Sequence, residues 1–375
     1  METDNGKKKT NAPPLRFPGF EGEWEERRLG EVAEFSSVRI KTSVLDQKNY
    51  ISTENMQQDF QGVVEAKSVP SNTNAISFSN GDILISNIRP YLKKVWKATF
   101  DGGCSSDVFV LKARGAIDND YLYYTIANYR FIDYVTTSAK GVKMPRGDKK
   151  QIVTYQLSFP SLPEQRKIAD FLRLLDERIA VQRALIGEMG RLMGGIREWL
   201  FAHTDGKCVR LADVCKIVKG QQVNKQELNE SGPYYVMNGG TTPSGYYSKS
   251  NTGTGVISIS EGGNSCGYVQ WNENPFWSGG HCYTIVDISK DAVPHFLYQY
   301  LKHKESDIMK LRIGSGLPNI QKKTLECFTV KLPSFTEQTK ISTALKAVDL
   351  RAKNAEELLR LLLKQKSFFL QKLFI

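Results

Sequence analysis

The sequence predicts a mixed α/β (α+β) fold, in which two similar mixed α/β domains are joined by two long helices that form an antiparallel coiled coil with pseudo-two-fold symmetry. Three observations support this prediction. One stretch occurs twice without a gap, as residues 159–201 and 332–374, so that position 332 corresponds to position 159 and the offset stays constant to the end. Both copies have the apolar spacing of a long helix. The segments that precede the two copies share short similarities.

The repeat is clearest where each copy begins. Of the first 18 positions, eight are identical in both copies, which a chance alignment would not produce. Ser161 and Glu164, like Ser334 and Glu337, have the Ser-x-x-Glu spacing of a helix capping box. The repeat predicts five segments: an arm at 1–14, a domain at 15–158, a helical spacer at 159–203, a second domain at 204–331 and a second spacer at 332–375.

The first domain opens after a polar arm that contains three consecutive lysines. Apolar and β-branched runs bounded by Asn-Gly and Gly-Gly predict strands, and an aromatic-rich run with helical spacing predicts a helix. The expected elements are a short first element at 29–35, strands at 82–86 and 108–111, a helix at 121–135 and a closing strand at 155–159. Shorter similarities at 210–214, 255–258 and 296–298 predict the same fold for the second domain.

Apolar residues alternate in steps of four and three through both copies, which is the seam of a coiled coil. One alternative is that two amphipathic helices pack on separate cores. A helix of about 39 residues is roughly 58 Å long, more than a small domain covers, so we expect the helices to pair with each other. The predicted seam includes Ile168, Leu172, Leu175, Ile179, Ile186, Ile341, Leu345, Val348, Leu359 and Leu362.

The order domain, helix, domain, helix determines the direction of that pairing. Parallel helices would require the second domain to span about 58 Å, whereas a compact domain of its size has a radius of gyration of only about 14 Å. The helices are therefore predicted to run antiparallel, with one domain at each end. Two similar but non-identical domains that lie at opposite ends of the paired helices are suited to a target that is itself linear and has two parts.

Composition narrows the class of partner. The net charge is +11 and the pI is about 9.2, which favours nucleic acid or an anionic membrane surface. No apolar run approaches the roughly 18 residues that cross a bilayer, so we expect a cytoplasmic protein without membrane attachment. The six cysteines are scattered without a Cys-x-x-Cys pair, and the four histidines have no metal-binding spacing.

Signatures of catalysis are scarce, whereas polar and basic loops are frequent. The sequence has no P-loop, no dinucleotide-binding glycine motif and no His-Glu-x-x-His. Arginine and lysine donate to guanine and phosphate, and amides pair with adenine. The predicted DNA-binding residues are Asn87, Arg89, Tyr91, Lys93, Lys94, Lys140, Lys143, Arg146, Lys149 and Lys150 in the first domain, and Gln221, Gln222, Asn238, Tyr246, Tyr247, Asn264, Arg312, Lys322 and Lys323 in the second.

The motifs resemble a known family. Pro-Ser-Leu-Pro-Glu-Gln-Arg-Lys-Ile-Ala at 160–169 and Pro-Ser-Phe-Thr-Glu-Gln-Thr-Lys-Ile-Ser at 333–342 each end a domain and open a long helix. Together with Leu-Arg-Phe-Pro-Gly-Phe-Glu-Gly-Glu-Trp at 15–24, they are similar to DNA specificity subunits of type I restriction–modification systems. Thr339 stands where the first copy has Arg166, so that position is not assigned a shared role.

The resemblance implies a non-catalytic subunit that recognises DNA. Each domain would read one half of a bipartite duplex target, and the helices would set the spacer and hold two modification subunits. Those subunits would bind S-adenosylmethionine and methylate adenine, and restriction subunits that use ATP and Mg²⁺ would cleave DNA. This chain would itself bind no cofactor or metal. The alternatives are an autonomous DNA methyltransferase or nuclease, and a scaffold that binds only proteins.

Overall fold

The computed structural model describes residues 11–139, 141, 143–314 and 316–375. The chain forms two compact units, unit 1 (Met1–Val181 with Leu359–Ile375) and unit 2 (Gln182–Leu358). Each long helix contributes to both units. The five segments predicted above follow sequence similarity instead, and their boundaries stay a prediction. Among the described residues, no helix combines the length and the apolar character that crossing a membrane requires.

The part of unit 1 that the structure describes contains ten strands, four short α-helices and portions of two long helices. The strands are β1 (Glu25–Arg28), β2 (Ala33–Phe35), β3 (Arg39–Lys41), β4 (Tyr50–Ile51), β5 (Asn74–Phe78), β6 (Ile83–Ser86), β7 (Val95–Lys97), β8 (Gly102–Cys104), β9 (Val108–Ala113) and β10 (Gln156–Phe159). The helices are α1 (Leu29–Val32), α2 (Asn119–Ile126), α3 (Tyr129–Thr137), α4 (Lys149–Ile152) and α5 (Leu162–Ala202).

The main sheet of unit 1 has the antiparallel order β2-β9-β6-β7, so β6 is an inner strand. Alternate residues of β6 point to opposite faces. Ile83 and Ile85 accordingly join the core that includes α2 and α3, whereas Leu84 joins a second core beneath the sheet. That second core lies against the sheet β3-β5-β8-β4. The continuous apolar run of β6 thus reflects burial on both faces.

The helical run predicted at 121–135 forms two helices instead of one. Asn128 has extended backbone angles, and its side chain accepts a hydrogen bond from the backbone N–H of Arg130. Asn128 therefore caps α3 at its N-terminus, a role for which asparagine is well suited. The apolar spacing continues across this break, which is why the sequence pattern alone does not reveal it.

The described residues of unit 2 contain nine strands and repeat the plan of unit 1. The strands are β11 (Lys207–Arg210), β12 (Lys216–Lys219), β13 (Tyr234–Met237), β14 (Tyr246–Tyr247), β15 (Val256–Ser260), β16 (Val269–Asn272), β17 (Trp277–Ser278), β18 (Cys282–Val286) and β19 (Thr329–Leu332). The helices are α6 (Leu211–Val214), α7 (Pro294–His303), α8 (Glu305–Lys310), α9 (Lys322–Glu326) and α10 (Phe335–Lys372).

The main sheet of unit 2 has the antiparallel order β12-β18-β15-β16, which matches β2-β9-β6-β7 strand for strand. Its inner strand β15 places Ile257 and Ile259 in the core beside α7. A two-stranded sheet closes each unit, β1 with β10 and β11 with β19. The second sheets differ, since unit 2 has the three-stranded order β14-β13-β17. The duplication predicted from sequence therefore holds for the main sheet.

Within unit 1, the start of α5 lies against the end of α10. The rings of Phe171 and Phe369 are 4.7 Å apart, centroid to centroid, and Leu175 packs with Leu362. Lys366 of α10 continues the seam four residues after Leu362 and forms an ion pair with Asp176 of α5 at 2.6 Å. The charge in the seam is thus neutralised by the facing helix.

Within unit 2, the later part of α5 lies against the earlier part of α10. Phe201 shares a core with Ile341 and Leu345, and Gln182 donates to the backbone carbonyl of Ala355 at 2.8 Å. Early residues of one helix thus meet late residues of the other in both units. The predicted antiparallel pairing is confirmed.

Candidate nucleic-acid interface

In unit 1, two predicted DNA-binding stretches that lie far apart in sequence meet in space. The segment after β6 joins the basic loop before α4, with Arg89 donating its backbone N–H to the carbonyl of Pro145 at 2.8 Å. Gly147 donates in turn to the carbonyl of Asn87 at 3.1 Å, and Ile88 forms a β-bridge with Arg146. These bonds hold one continuous polar surface at the end of the inner strand.

The segment after β6 has an unusual backbone. Arg89 and Lys93 have φ angles of +51° and +54°, which non-glycine residues rarely adopt, and they flank a 3₁₀ turn at Pro90–Leu92. The turn leaves the ring of Tyr91 46% exposed. Strained backbone is frequent where a ligand binds. The turn therefore presents an aromatic ring between two cations.

The basic residues of unit 1 fall into two groups. Some are already engaged: Lys93 donates to Asp59 at 3.1 Å, Lys94 donates to the carbonyl of Thr53 at 2.6 Å, and Lys149 lies over the rings of Phe35 and Phe109. Burial lowers the pKa of Lys94 and of Lys149. Others are exposed, namely Lys143, Lys150 and Arg146, the last of which pairs with Asp107 at 3.0 Å. Lys140 lies outside the described residues.

In unit 2, the equivalent segments meet in the same way. Gly263 donates its backbone N–H to the carbonyl of Pro318 at 2.9 Å, and Gly262 forms a β-bridge with Asn319. In the numbering of the repeat, Pro318 and Asn319 correspond to Pro145 and Arg146. Unit 2 therefore repeats the contact between the two segments that is seen in unit 1, but with different side chains.

An open cavity of about 760 Å³ lies beside this segment of unit 2. Its walls include Asn238, Lys219, Glu261 and His281. The side-chain oxygen of Asn238 accepts from the backbone N–H of His281 at 3.0 Å. Gln221 donates its backbone N–H to the carbonyl of Ser278, in the strand β17 that precedes His281. Polar side chains of several strands thus converge on one opening.

The other predicted residues of unit 2 have separate positions. Tyr246 and Tyr247 form β14 in the second sheet, where Tyr247 donates to Glu227 at 3.0 Å and its ring lies 5.0 Å from that of Trp277. The remaining side chains predicted to contact DNA in unit 2 are exposed, namely those of Gln221, Gln222, Asn264, Arg312, Lys322 and Lys323. Lys322 pairs with Glu326 at 3.6 Å.

The predicted seam residues all face away from solvent to some degree. Ile168, Leu172, Leu175, Ile179, Ile341, Leu345 and Leu362 are buried, and Ile186, Val348 and Leu359 are half-buried. The seam thus loses part of its burial near the middle of α5, where Ile186 lies. Core packing is strongest where the helices also contact the sheets.

The predicted DNA-binding residues do not include Lys219, Glu261 and His281, which line the cavity. They also do not include Met144 and Leu317, large apolar residues that are 50% and 86% exposed on the two equivalent loops. The constant offset of the repeat relates Met144 to Leu317 and was available as a signal. No such signal existed for Lys219 and His281, because they approach Glu261 only through the pairing of β18 with both β12 and β15.

The side chains on both surfaces are of the kinds that bind nucleic acid. Amides, carboxylate, aromatic rings and cations are present together, and these groups pair with base edges, base faces and phosphates. Within the described ranges, no cluster of three or more His, Cys, Asp or Glu side chains is arranged to hold a metal ion. The arrangement supplies recognition by hydrogen bonds and charge.

Comparison with known proteins gives one consistent family. Residues 21–189 and 204–362 match the model of the type I restriction modification DNA specificity domain. The chain is 30% identical over 157 residues to the EcoDI specificity subunit of a type I restriction enzyme from Escherichia coli, covering 40% of this chain and 34% of that protein. It is 22% identical over 381 residues to the MjaVIII specificity subunit from Methanocaldococcus jannaschii, covering 89% and 87%.

The fold is also similar to that of a solved structure. The S subunit of a type I restriction-modification system from M. genitalium matches with a TM-score of 0.69 at 19% identity, over 97% of this chain and 99% of that chain. The chain spans less than half the length of the curated relatives to which it is 30% or 31% identical. Sequence and fold thus agree on the family.

Proposed function

Because the chain belongs to the family of type I restriction modification DNA specificity domains, we propose that it is the specificity subunit of a type I restriction–modification complex. Each unit reads one half of a bipartite target in duplex DNA. One observation carries this proposal: in both units, the segment after the inner strand is hydrogen-bonded to an equivalent polar loop. Two equivalent surfaces with different side chains suit a target with two different halves.

We further propose that the long helices hold two modification subunits, which bind S-adenosylmethionine and methylate adenine. Restriction subunits that use ATP and Mg²⁺ then complete the complex and cleave DNA, while this chain performs no catalysis. Exposed apolar residues on the helices support the proposal. Leu185, Leu192 and Trp199 are spaced by seven and are 47%, 61% and 61% exposed. Such a stripe is suited to packing against a helix of a partner.

The first experiment measures DNA binding by the chain purified with its modification subunits. We expect sequence-specific binding whose affinity falls steeply with salt, because neutralising phosphates releases counterions. Weak binding that is insensitive to both salt and sequence would contradict the proposal. Catalysis by the isolated chain, with S-adenosylmethionine or with Mg²⁺, would instead support an autonomous enzyme.

A second experiment tests the division of labour between the units. Methylome sequencing of cells with and without the chain should reveal one bipartite motif that depends on it. Replacing residues 15–158 by the corresponding domain of another family member should change only one half of that motif. A change in both halves would contradict the assignment of one half to each unit.

A further inference from the structure

The residue that follows the inner strand is held in the same way in both units. Asn87 follows β6 and Glu261 follows β15. The carbonyl of Asn87 accepts from Gly147, and that of Glu261 accepts from Ile320, at 3.1 and 2.9 Å. Gly147 and Ile320 are equivalent positions of the repeat. Asn87 and Glu261 therefore occupy the same place in the fold.

The two side chains share a second property. Among the described residues, Oδ1 of Asn87 and Oε2 of Glu261 are buried oxygens without a hydrogen-bond partner. Nearly all buried polar atoms in proteins have a partner, so an exception calls for a physical reason. Two exceptions at one topological position point to a shared role in binding.

The carboxylate of Glu261 is anchored on one side only. Glu261 is 9% exposed, and its Oε1 accepts hydrogen bonds from Lys219 at 2.6 Å and from the hydroxyl of Tyr283 at 3.1 Å. Oε2 lies 3.6 Å from Nδ1 of His281, whose side chain is 64% exposed. The lysine and the tyrosine thus hold the carboxylate in place. Its second oxygen lies buried beside the exposed imidazole of His281, whose displacement would open it to a ligand.

The opening above this carboxylate depends on glycine. Gly239 has φ +80°, and a Cβ there would lie 3.1 Å from Cβ of His281 and 3.3 Å from the carbonyl oxygen of Gly262. Gly239, Glu261 and His281 line the same cavity, so a side chain at Gly239 would narrow it. The glycine therefore leaves room for a ligand beside the carboxylate.

We propose that Glu261 recognises a cytosine of a G·C pair in the second half-site by accepting a hydrogen bond from the exocyclic N4 amino group. A carboxylate only accepts hydrogen bonds, so it pairs with an amino group and repels guanine O6 and thymine O4. Lys219 lies beside it with a side chain that is 53% exposed, and it donates to O6 or N7 of the paired guanine. This inference rests on the proposed function.

The placement explains why a carboxylate lines a surface of a chain with net charge +11. An exposed carboxylate would repel the phosphates, whereas one recessed beside Lys219 and His281 meets DNA only at a base edge. Asn87 has an amide at the equivalent position, and an amide both donates and accepts, as adenine N6 and N7 require. The two units would then differ in the base that they select.

The test uses the complete complex with its modification subunits and the target mapped by methylome sequencing. Glu261→Gln should lower the preference for cytosine at one position of the second half-site by about tenfold or more and raise that for adenine, because glutamine pairs with adenine N6 and N7. The first half-site should not change. Glu273→Gln is the control, since Glu273 is an exposed carboxylate of the same unit that pairs with Lys353.

A second measurement changes the DNA target instead of the protein and compares the wild-type complex with the variant. The wild-type complex is offered targets in which each cytosine of the second half-site, in turn, is replaced by an analogue that lacks the N4 amino group. We expect about tenfold weaker binding at one position and none of that sensitivity in Glu261→Gln. A wild-type complex that binds its bipartite target yet tolerates every analogue would overturn the proposal. Absence of sequence-specific binding by the wild-type complex would instead contradict the proposed function.

Discussion

Gln338 is the counterpart of Gln165 in the second copy of the repeat, and the two side chains make the same three hydrogen bonds in their own units. Each amide nitrogen donates to the carbonyl of the proline at the start of its motif and to a carbonyl before the first turn of α2 or α7. Each amide oxygen accepts from a backbone N–H, that of Asp118 or that of Val293. The glutamine of the repeated motif therefore ties the domain to the start of the long helix.

Gln165→Ala should destabilise unit 1 by about 3 kcal/mol, because three wholly or partly buried hydrogen bonds to the backbone are lost. Gln338→Ala should have the same effect on unit 2. Urea denaturation of the complex, monitored by circular dichroism, measures both. Gln365→Ala is the matched control, since Gln365 is exposed on α10. Equal midpoints for all three variants would contradict this role.

Arg16 forms an ion pair with the first copy of the motif. Its guanidinium donates twice to Glu164, at 2.7 Å for both bonds, and the Glu164 side chain is 1% exposed. Arg16→Met should cost about 3 kcal/mol, because a buried carboxylate loses its counter-charge. Arg173→Met should cost much less than Arg16→Met, since its partners Glu177 and Asp170 are exposed. Similar losses in thermal unfolding would refute the distinction.

His295 makes the stability of unit 2 depend on pH. Burial, together with Lys346 and Arg197, lowers its pKa to about 4. The unfolded chain binds a proton near pH 6.5 and the folded unit does not, so stability is complete above about pH 6.5 and falls as the pH drops towards 4. Burial also lowers the pKa of His303, so His303 adds a further loss of stability as the pH falls.

The variant His295→Gln should remove about 2 kcal/mol of the stability change between pH 7 and pH 5. The measurement is the free energy of unfolding in urea across that range. Burial raises the pKa of Asp349, so the contribution of Asp349 to stability increases as the pH falls, opposite to that of His295. The comparison is therefore best made above pH 5. An unchanged slope in the variant would show that His295 is not responsible.

Neighbouring lysines of the basic loop should differ in their effect on DNA binding. Lys150 is exposed, whereas Lys149 lies 4.7 Å from the centre of the Phe109 ring. Lys150→Gln should reduce the slope of log affinity against log salt by about 1, as expected for one lost phosphate contact. Lys149→Gln should leave that slope nearly unchanged and lower the melting temperature. The opposite pattern would contradict this assignment.

The length of the paired helices should set the spacer between the half-sites. Residues 179–185 and 352–358 are equivalent heptads centred on the contact of Gln182 with Ala355. Deleting both heptads removes about 10 Å, so the preferred spacer should shorten by about three base pairs. Binding to a library of targets with different spacers measures this. An unchanged optimum would contradict the role of the helices as a ruler.

The sequence identified the stretches that form the candidate interface, but it did not show which of their side chains are exposed. It identified the stretches 87–94 and 140–150, and the structure brings them together through Arg89 and Pro145. It treated Lys149 and Lys150 alike, although only the structure places Lys149 over Phe35 and Phe109. Those rings belong to strands far away in sequence, so no local pattern could distinguish the two lysines.

The sequence by itself determined the duplication, the long helices and their antiparallel direction. Helical periodicity and chain length are local or additive properties, so spacing shows which face is apolar and length shows which connections can reach. The tertiary structure alone decided that Glu261 is buried against Lys219 and Tyr283 with one oxygen unsatisfied. That arrangement depends on the pairing of β12, β15 and β18, which brings together residues separated by tens of positions.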